Sequence, residues 1–136
     1  MGNLDRDHQQ VLRALQNEGW HIVKERLGLR WGVFSGEVDI VARLGPEGDP
    51  DTRIMVVEVK SFWPRMRMSD IEKAVGQYLI YRSWLARLRP GWVIYMALSV
   101  KNARRFDEDP LQAVVQDYNL QIVTVDIDAE RIVSWQ

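Results

Sequence analysis

Hydrophobic residues recur at helical spacing in three stretches and alternate with polar ones in several others. Leu4, Val11, Leu12 and Leu15 make one apolar stripe, which predicts a first helix over residues 5–18 with Asp5 or Asp7 as its cap. Gly19 follows where a helix C-terminal glycine belongs. A short strand is expected over 20–24. Residues 27–36, LGLRWGVFSG, carry three glycines and read as an irregular loop. Over 37–44 the chain alternates, with Val38, Ile40, Ala42 and Leu44 facing one way and Glu37, Asp39, Val41 and Arg43 the other. The turn-rich stretch GPEGDPDTR leads to a second strand over 54–61, and the two strands read as a hairpin with a long loop.

The longest helical pattern spans 69–88. Ile71, Ala74, Val75, Tyr78, Leu79 and Leu85 form its buried stripe. Ser69 is the expected N-cap, Glu72 completes a capping box, and Pro90-Gly91 ends the helix. Residues 92–100 are strongly apolar, as in a central strand. Asp109-Pro110 opens a third helix that runs to about 118, and two short strands are expected near 121–125 and 132–135. The order is α-β-β-β-α-β-α-β-β. This predicts an α/β (α+β) fold, a mixed sheet flanked by helices, in one domain over residues 1–136.

Composition removes whole classes of chemistry. The chain has 136 residues, 46% of them hydrophobic, which is enough to build a core. It has no cysteine, which excludes disulfides, thiolate metal sites and thiol catalysis. No apolar run approaches the ~18 residues of a membrane helix, and MGNLDRDHQQ lacks the pattern of a signal peptide. A soluble, cytoplasmic protein with no membrane partner is expected.

The net charge of -1 argues against nucleic acid, but it conceals a strong asymmetry. Residues 60–105 hold 10 Lys and Arg against 2 acids, whereas residues 106–136 hold 1 against 7. Solvated helix faces explain such a middle segment as readily as a phosphate-binding surface does. On the second reading Arg65, Arg67, Lys73, Lys101, Arg104 and Arg105 are the candidate DNA contacts.

Three ionisable residues interrupt apolar strands: Asp39, Glu58 and Lys60. Glu58 and Lys60 are two apart and share one strand face. Asp39 joins them if the hairpin register agrees. Charges beside a buried sheet face are costly unless they pair or bind an ion. Two carboxylates suit a hard cation such as Mg²⁺, which polarises a phosphoryl oxygen and activates water, while a lysine orients that water or stabilises developing charge. Glu-Val-Lys alone is a common tripeptide; Asp39 at hairpin distance makes it informative. Gln77 and Tyr81, four apart, lie on one helix face that looks toward Glu58. Arg82 falls within the apolar stripe and is expected to snorkel or to pair with a carboxylate. His8 and His21 have no partner at ligand spacing and read as structural or surface residues. Trp20, Trp92 and Trp135 belong to strand patterns and to the core, whereas Trp31 and Trp63 are candidate exposed contacts.

Asp39, followed after 18 residues by Glu58-Val59-Lys60, resembles the PD-(D/E)XK motif of the restriction-endonuclease-like superfamily. Gln77-x-x-x-Tyr81 resembles the QxxxY element of its RecB-like branch. The whole chain is more similar still to the XisH-like proteins, the fdxN-element excision controlling factors. That similarity runs from Glu18-Gly19-Trp20 through Val38-Asp39, Val57–Phe62 and Gly76–Arg82 to Ile132–Trp135. It implies a cytoplasmic, DNA-associated factor of cyanobacterial type, linked to DNA-element excision and working beside a small XisI-like protein, with a homodimer also open. It further implies a Mg²⁺- or Mn²⁺-dependent endonuclease. Asp39, Glu58 and the Val59 carbonyl would hold the metal, Lys60 would position water, and Gln77 and Tyr81 would steady the site. The alternative is a silent nuclease fold that binds DNA and a partner, as in a toxin–antitoxin-like pair. Val38 stands where the literal motif has proline, and Asp7 and Glu18 are weak candidates for a further acidic ligand.

Overall fold

The computed structural model describes residues 6–136. The expected roles of Leu4 and Asp5 lie outside the described residues. In chain order the elements are α1 (His8–Asn17), β1 (His21–Trp31), β2 (Phe34–Leu44), β3 (Arg53–Val59), α2 (Met68–Leu88), β4 (Val93–Ser99), α3 (Val100–Phe106), α4 (Asp109–Tyr118), β5 (Ile122–Asp126) and β6 (Arg131–Trp135). The strands lie side by side in chain order in one mixed sheet. β3–β4 and β4–β5 are parallel, and the other pairs are antiparallel. The expected mixed α/β arrangement is present, with one more helix than the sequence pattern indicated.

Each face of the sheet carries an apolar layer. Val11, Leu12 and Leu15 of α1 pack on Ile40, Met55, Val57 and Val59. Ala74, Tyr78 and Leu85 of α2, with Phe106 of α3, pack on Val41, Val56 and Met96 on the other side. Alternation along β3 therefore turns Glu58 toward the α2 side. α1 ends in a Schellman turn: Gly19 has φ +95°, its N–H bonds the Gln16 carbonyl, and the Trp20 N–H bonds the Leu15 carbonyl, each at 3.0 Å. Asp7 occupies the N-cap position but makes no side-chain cap. His8 is buried and bonded to Glu25 at 2.8 Å, and His21 is exposed, so both fit the structural or surface reading.

Tyr78 ties the second layer together. It is fully buried, and its hydroxyl donates to the Ile94 carbonyl and accepts from the Gln121 N–H, both at 3.0 Å. Among the described residues Arg82 pairs with no carboxylate, and it does more than snorkel. Its Nη1 donates to the carbonyl of Asn119, the left-handed residue that closes α4, at 2.9 Å.

Several boundaries differ from the sequence reading, each for a local reason. The stretch 27–36 is not a loop but the end of a long β1–β2 hairpin. Gly32, at φ +63°, begins its two-residue turn, the position where a type II′ turn favours glycine. α2 starts at Met68 rather than Ser69, and its first turn is closed by Asp70 rather than Glu72: the Arg67 N–H donates to Asp70 Oδ2 at 3.3 Å. Val100 leaves the strand and starts α3, with Ser99 accepting the Asn102 N–H at 3.2 Å as its cap. α4 is flanked by Glu108, with Asp109 already helical. Val38 lies in the α2 layer, whereas Ile40 and Ala42 lie in the α1 layer, so the expected alternation changes phase at Asp39.

Candidate active site

That change of phase marks the site. β2 and β3 pair regularly from Leu44↔Arg53 to Ile40↔Val57, and there the backbone ladder stops. Side chains form the next rungs. The Asp39 N–H donates to Glu58 Oε1 at 2.8 Å, and the Val59 N–H donates to Asp39 Oδ2 at 2.7 Å. Each carboxylate takes a place that a partner-strand carbonyl would hold, so the strands part and the two acids sit in the wedge. β1 gives way at the same level: Arg26 has φ +56°, and the β1–β2 pairing skips it between Glu25↔Ile40 and Leu27↔Val38.

The wedge is dry on one side. Glu58 is only 3% exposed, and Asp39 is half-buried. Burial pushes the Glu58 carboxyl up to about 8, and the Asp39 charge adds to the rise; Lys60 and the Asp39 N–H oppose it in part. Two such acids are stabilised together by a shared proton or by a cation. Among the described residues no three His, Asp or Glu side chains converge as a metal set, so neither Asp7 nor Glu18 completes one. Two carboxylates suit a hard cation that keeps most of its waters. The Val59 carbonyl leaves its strand on the same edge as the Val59 N–H, the edge facing Asp39, and is a third oxygen of the right kind.

Lys60 leaves the end of β3, and its Nζ donates to Gln77 Oε1 of α2 at 2.5 Å. Of the groups Gln77 could steady, the lysine is the one it touches here. Tyr81 is not part of it. Its hydroxyl accepts the Glu37 N–H at 3.3 Å, and its ring lies over Gly36. A Cβ on Gly36 would stand 2.6 Å from the Tyr81 hydroxyl oxygen and 2.7 Å from Cε1. Tyr81 thus clamps the hairpin to α2. Gly36→Ala is expected to destabilise the fold by about 1–3 kcal/mol through overpacking. In urea unfolding, most of that cost should vanish when Tyr81 is already alanine, because the two changes share one contact.

Past Lys60 the chain lines a cleft of about 230 Å³, walled by Ser61, Phe62 and Trp63 on one side and Lys73 and Gln77 on the other. Ser61 and Phe62 belong to the stretch that carries the family similarity, but the sequence assigned them no role. Of the basic candidates, Lys73 is in the cleft wall. Arg65 and Arg67 are exposed before α2. Lys101, Arg104 and Arg105 are exposed on α3, which is tied to the cleft by Asn102 Nδ2 donating to the Ser61 carbonyl at 2.7 Å. Arg105 also pairs with Glu108 at 2.6 Å. Arg82 bonds to the Asn119 carbonyl at the end of α4, and Arg87 and Arg89 bond to carbonyls in the C-terminal half of α2.

A family model described as XisH protein matches residues 1–133. The chain belongs to the XisH family. Two solved structures share its architecture. An XisH family protein from Nostoc punctiforme PCC 73102 is 30% identical, with a TM-score of 0.83 over 94% of this chain and 96% of that one. An fdxN element excision controlling factor protein from Anabaena variabilis is 27% identical, with a TM-score of 0.85 over 96% of this chain and 98% of that one. No curated relative matches this chain. None of its helices, among the described residues, is long and apolar enough to cross a membrane.

Proposed function

We propose that this chain is a divalent-metal-dependent DNA phosphodiesterase with a PD-(D/E)XK-type site. It acts in the cytoplasm on DNA-element excision together with a small XisI-type protein. One observation carries the reading: Asp39 and Glu58 converge in the β2–β3 wedge, next to a lysine held by Gln77. The kinship with an fdxN element excision controlling factor supports the link to excision.

Asp39, Glu58 and the Val59 carbonyl would hold Mg²⁺ or Mn²⁺. When bound, the ion supplies Lewis-acid polarisation of a phosphoryl oxygen and a water of lowered pKa. Glu58, whose burial favours the protonated form, would give up that proton to hold such an ion. Lys60, steered by Gln77, orients the attacking water and stabilises the negative charge that develops on the phosphate. Gln77 is a positioning residue, and Tyr81 acts further back by fixing the hairpin. Lys73 and the exposed basic residues of α3 draw in the DNA backbone, with an affinity that falls steeply as salt rises.

A second reading has its own observation. Both acids already serve the sheet as rungs, a structural task that a silent DNA- and partner-binding module also needs, as in a toxin–antitoxin-like pair. Cleavage separates the two. The protein, alone and with its genomic neighbour, is incubated with plasmid and linear DNA in Mg²⁺ or Mn²⁺. The wild type is expected to cut, and Glu58→Ala and Lys60→Ala to lose the activity while still binding DNA. A wild type that stays inert with its partner present, or variants that cut equally well, would overturn the nuclease reading.

A further inference from the structure

The β1 edge of the sheet ends in an unguarded hairpin. β1 is the first strand of the sheet, so one side of its backbone faces no other strand. The two-residue turn makes Trp31↔Phe34 a hydrogen-bonded pair and Leu29↔Gly36 the next one. The amides of Gly28 and Arg30 alternate with these pairs and so point outward, and among the described residues no other element bonds to them. Edge strands are usually guarded by proline, by lysine or by several charges. Over 27–31, LGLRW, there is no proline and Arg30 is the one charge. The tip is apolar and open: Trp31, Phe34 and Val33 are 44%, 69% and 89% exposed.

Such an edge accepts another strand, and this one is complementary to itself. When two copies of β1 run antiparallel about a two-fold axis, the outward amides of Gly28 and Arg30 must face one another. Setting Arg30 opposite Arg30 joins like charges, and setting Gly28 opposite Gly28 turns Arg30 toward Arg26 of the second copy; like charges directly opposite are destabilising. Setting Arg30 opposite Gly28 avoids both, with Leu29 meeting Leu29 on the axis. In that register the polar row reads Ser35 and Arg30 from one copy, then Gly28 and Glu37 from the other, because Arg30 pairs with Ser35 and Gly28 with Glu37 inside each hairpin. Nothing lies within 4 Å of where a Gly28 Cβ would stand. The Arg30 side chain therefore crosses open space to reach Glu37, over two strand spacings or about 10 Å of backbone separation. Both side chains are exposed, and among the described residues neither has an ion pair of its own. On the α2 side the row reads Phe34, Trp31, Leu27 and Val38, which gives the exposed tip an apolar neighbour in the other copy. A glycine inside a strand often marks a place where another backbone comes close.

We infer that the β1–β2 hairpin is the interface of a two-fold homodimer, in which Arg30 of each copy pairs with Gly28 of the other and the two sheets become continuous. Reciprocal backbone bonds at Gly28 and Arg30 hold the edges together. Reciprocal Arg30–Glu37 ion pairs fix the register, and the apolar tip packs beside Leu27. The dimer does not depend on any reaction at the Asp39–Glu58 wedge.

Sedimentation velocity over about a hundredfold range of protein concentration reads the association directly. The wild type is expected to be dimeric at the upper end of that range. Arg30→Glu and Glu37→Arg should each weaken the dimer by about tenfold or more, because each sets like charges across the glycine gap. Both changes in one chain should restore it, since the pair is only reversed. The chain has no cysteine, so crosslinking reads the register. Oxidation of an equal mixture of Gly28→Cys and Arg30→Cys should give the mixed dimer, whereas either variant alone should give little. Thermal melting checks that each variant is folded, and recovery in the double variant shows that the single changes act on pairing. A wild type that stays monomeric, a dimer that ignores both single changes, a double variant that stays dissociated, or Arg30→Cys that crosslinks to itself would each overturn the interface. A monomeric wild type whose binding to its genomic neighbour or to DNA is lost on Phe34→Asp would assign the hairpin to that other partner.

Discussion

Glu58→Gln is expected to yield a protein more stable than wild type at pH 8 in EDTA, and at least about 100-fold slower at cutting DNA in Mg²⁺. The stability half follows from burial. The Glu58 carboxyl is raised from 4.5 to about 8, first by desolvation and then by Asp39. Below about pH 4.5 the group is protonated in both folded and unfolded chains, and its contribution to stability is intact. As pH rises the unfolded chain ionises while the folded chain keeps its proton, so stability falls. The loss is complete once pH passes the folded value of about 8. A neutral amide escapes this loss but must bury an extra N–H₂. The net gain at pH 8 is on the order of 2–4 kcal/mol and should disappear near pH 4.5. Urea unfolding at several pH values reads it directly. Equal pH dependence in both proteins would mean that Glu58 is not buried in a dry wedge. Mg²⁺ should narrow the gap by stabilising the wild type alone, since a ligand of the folded state raises its stability. The activity half rests on the metal role: loss of a group that merely supports a ligand costs about 10–100-fold, and loss of the ligand itself costs at least as much.

Tyr78→Phe is expected to destabilise the chain by about 2–4 kcal/mol. The substitution removes one oxygen and leaves the shape of the core unchanged, so no cavity explains the cost. It strands the buried Ile94 carbonyl and the half-buried Gln121 N–H, which the hydroxyl joins. Each buried polar group left without a partner costs about 1–3 kcal/mol. In urea the midpoint should fall while the slope stays constant, because the area exposed on unfolding is unchanged. Tyr81→Phe is the matching control. That hydroxyl meets one N–H at 3.3 Å in a half-buried setting, so its loss should be small. If the two phenylalanine variants melt alike, the Tyr78 hydroxyl does not stitch α2 to the sheet.

Elements with a single strong signal were legible in the sequence. The 3.6-residue stripe of α2, Gly19 after α1 and Pro110 at the start of α4 each act through local geometry, and each is found where expected. The β1–β2 hairpin was not legible, because its glycines read as a loop. In the structure they do separate jobs: Gly32 turns the chain and Gly36 makes room for Tyr81. Tyr81 lies 45 residues beyond Gly36, so no local pattern reveals that contact. The spacing of Asp39 and Glu58 predicted that they would meet. It did not predict that they would meet by replacing backbone bonds, nor that Val38 would change sides as a result. Arg67 and Asp70 closed α2 in place of Ser69 and Glu72, since a capping sequence fits more than one register within a turn. α3 was hidden because Val100 continues the apolar run of β4.

Most hydrogen bonds in a sheet are indifferent to sequence, since every residue but proline carries the same amide. The last rungs between β2 and β3 are not. They belong to the side chains of Asp39 and Glu58, so a single codon change at either position alters where the sheet ends and how far its strands diverge. Inheritance of the chemical groups and inheritance of the opening they occupy are therefore one event. A lineage that loses the acids also closes or frays the wedge, which makes a simple return to the ancestral site difficult.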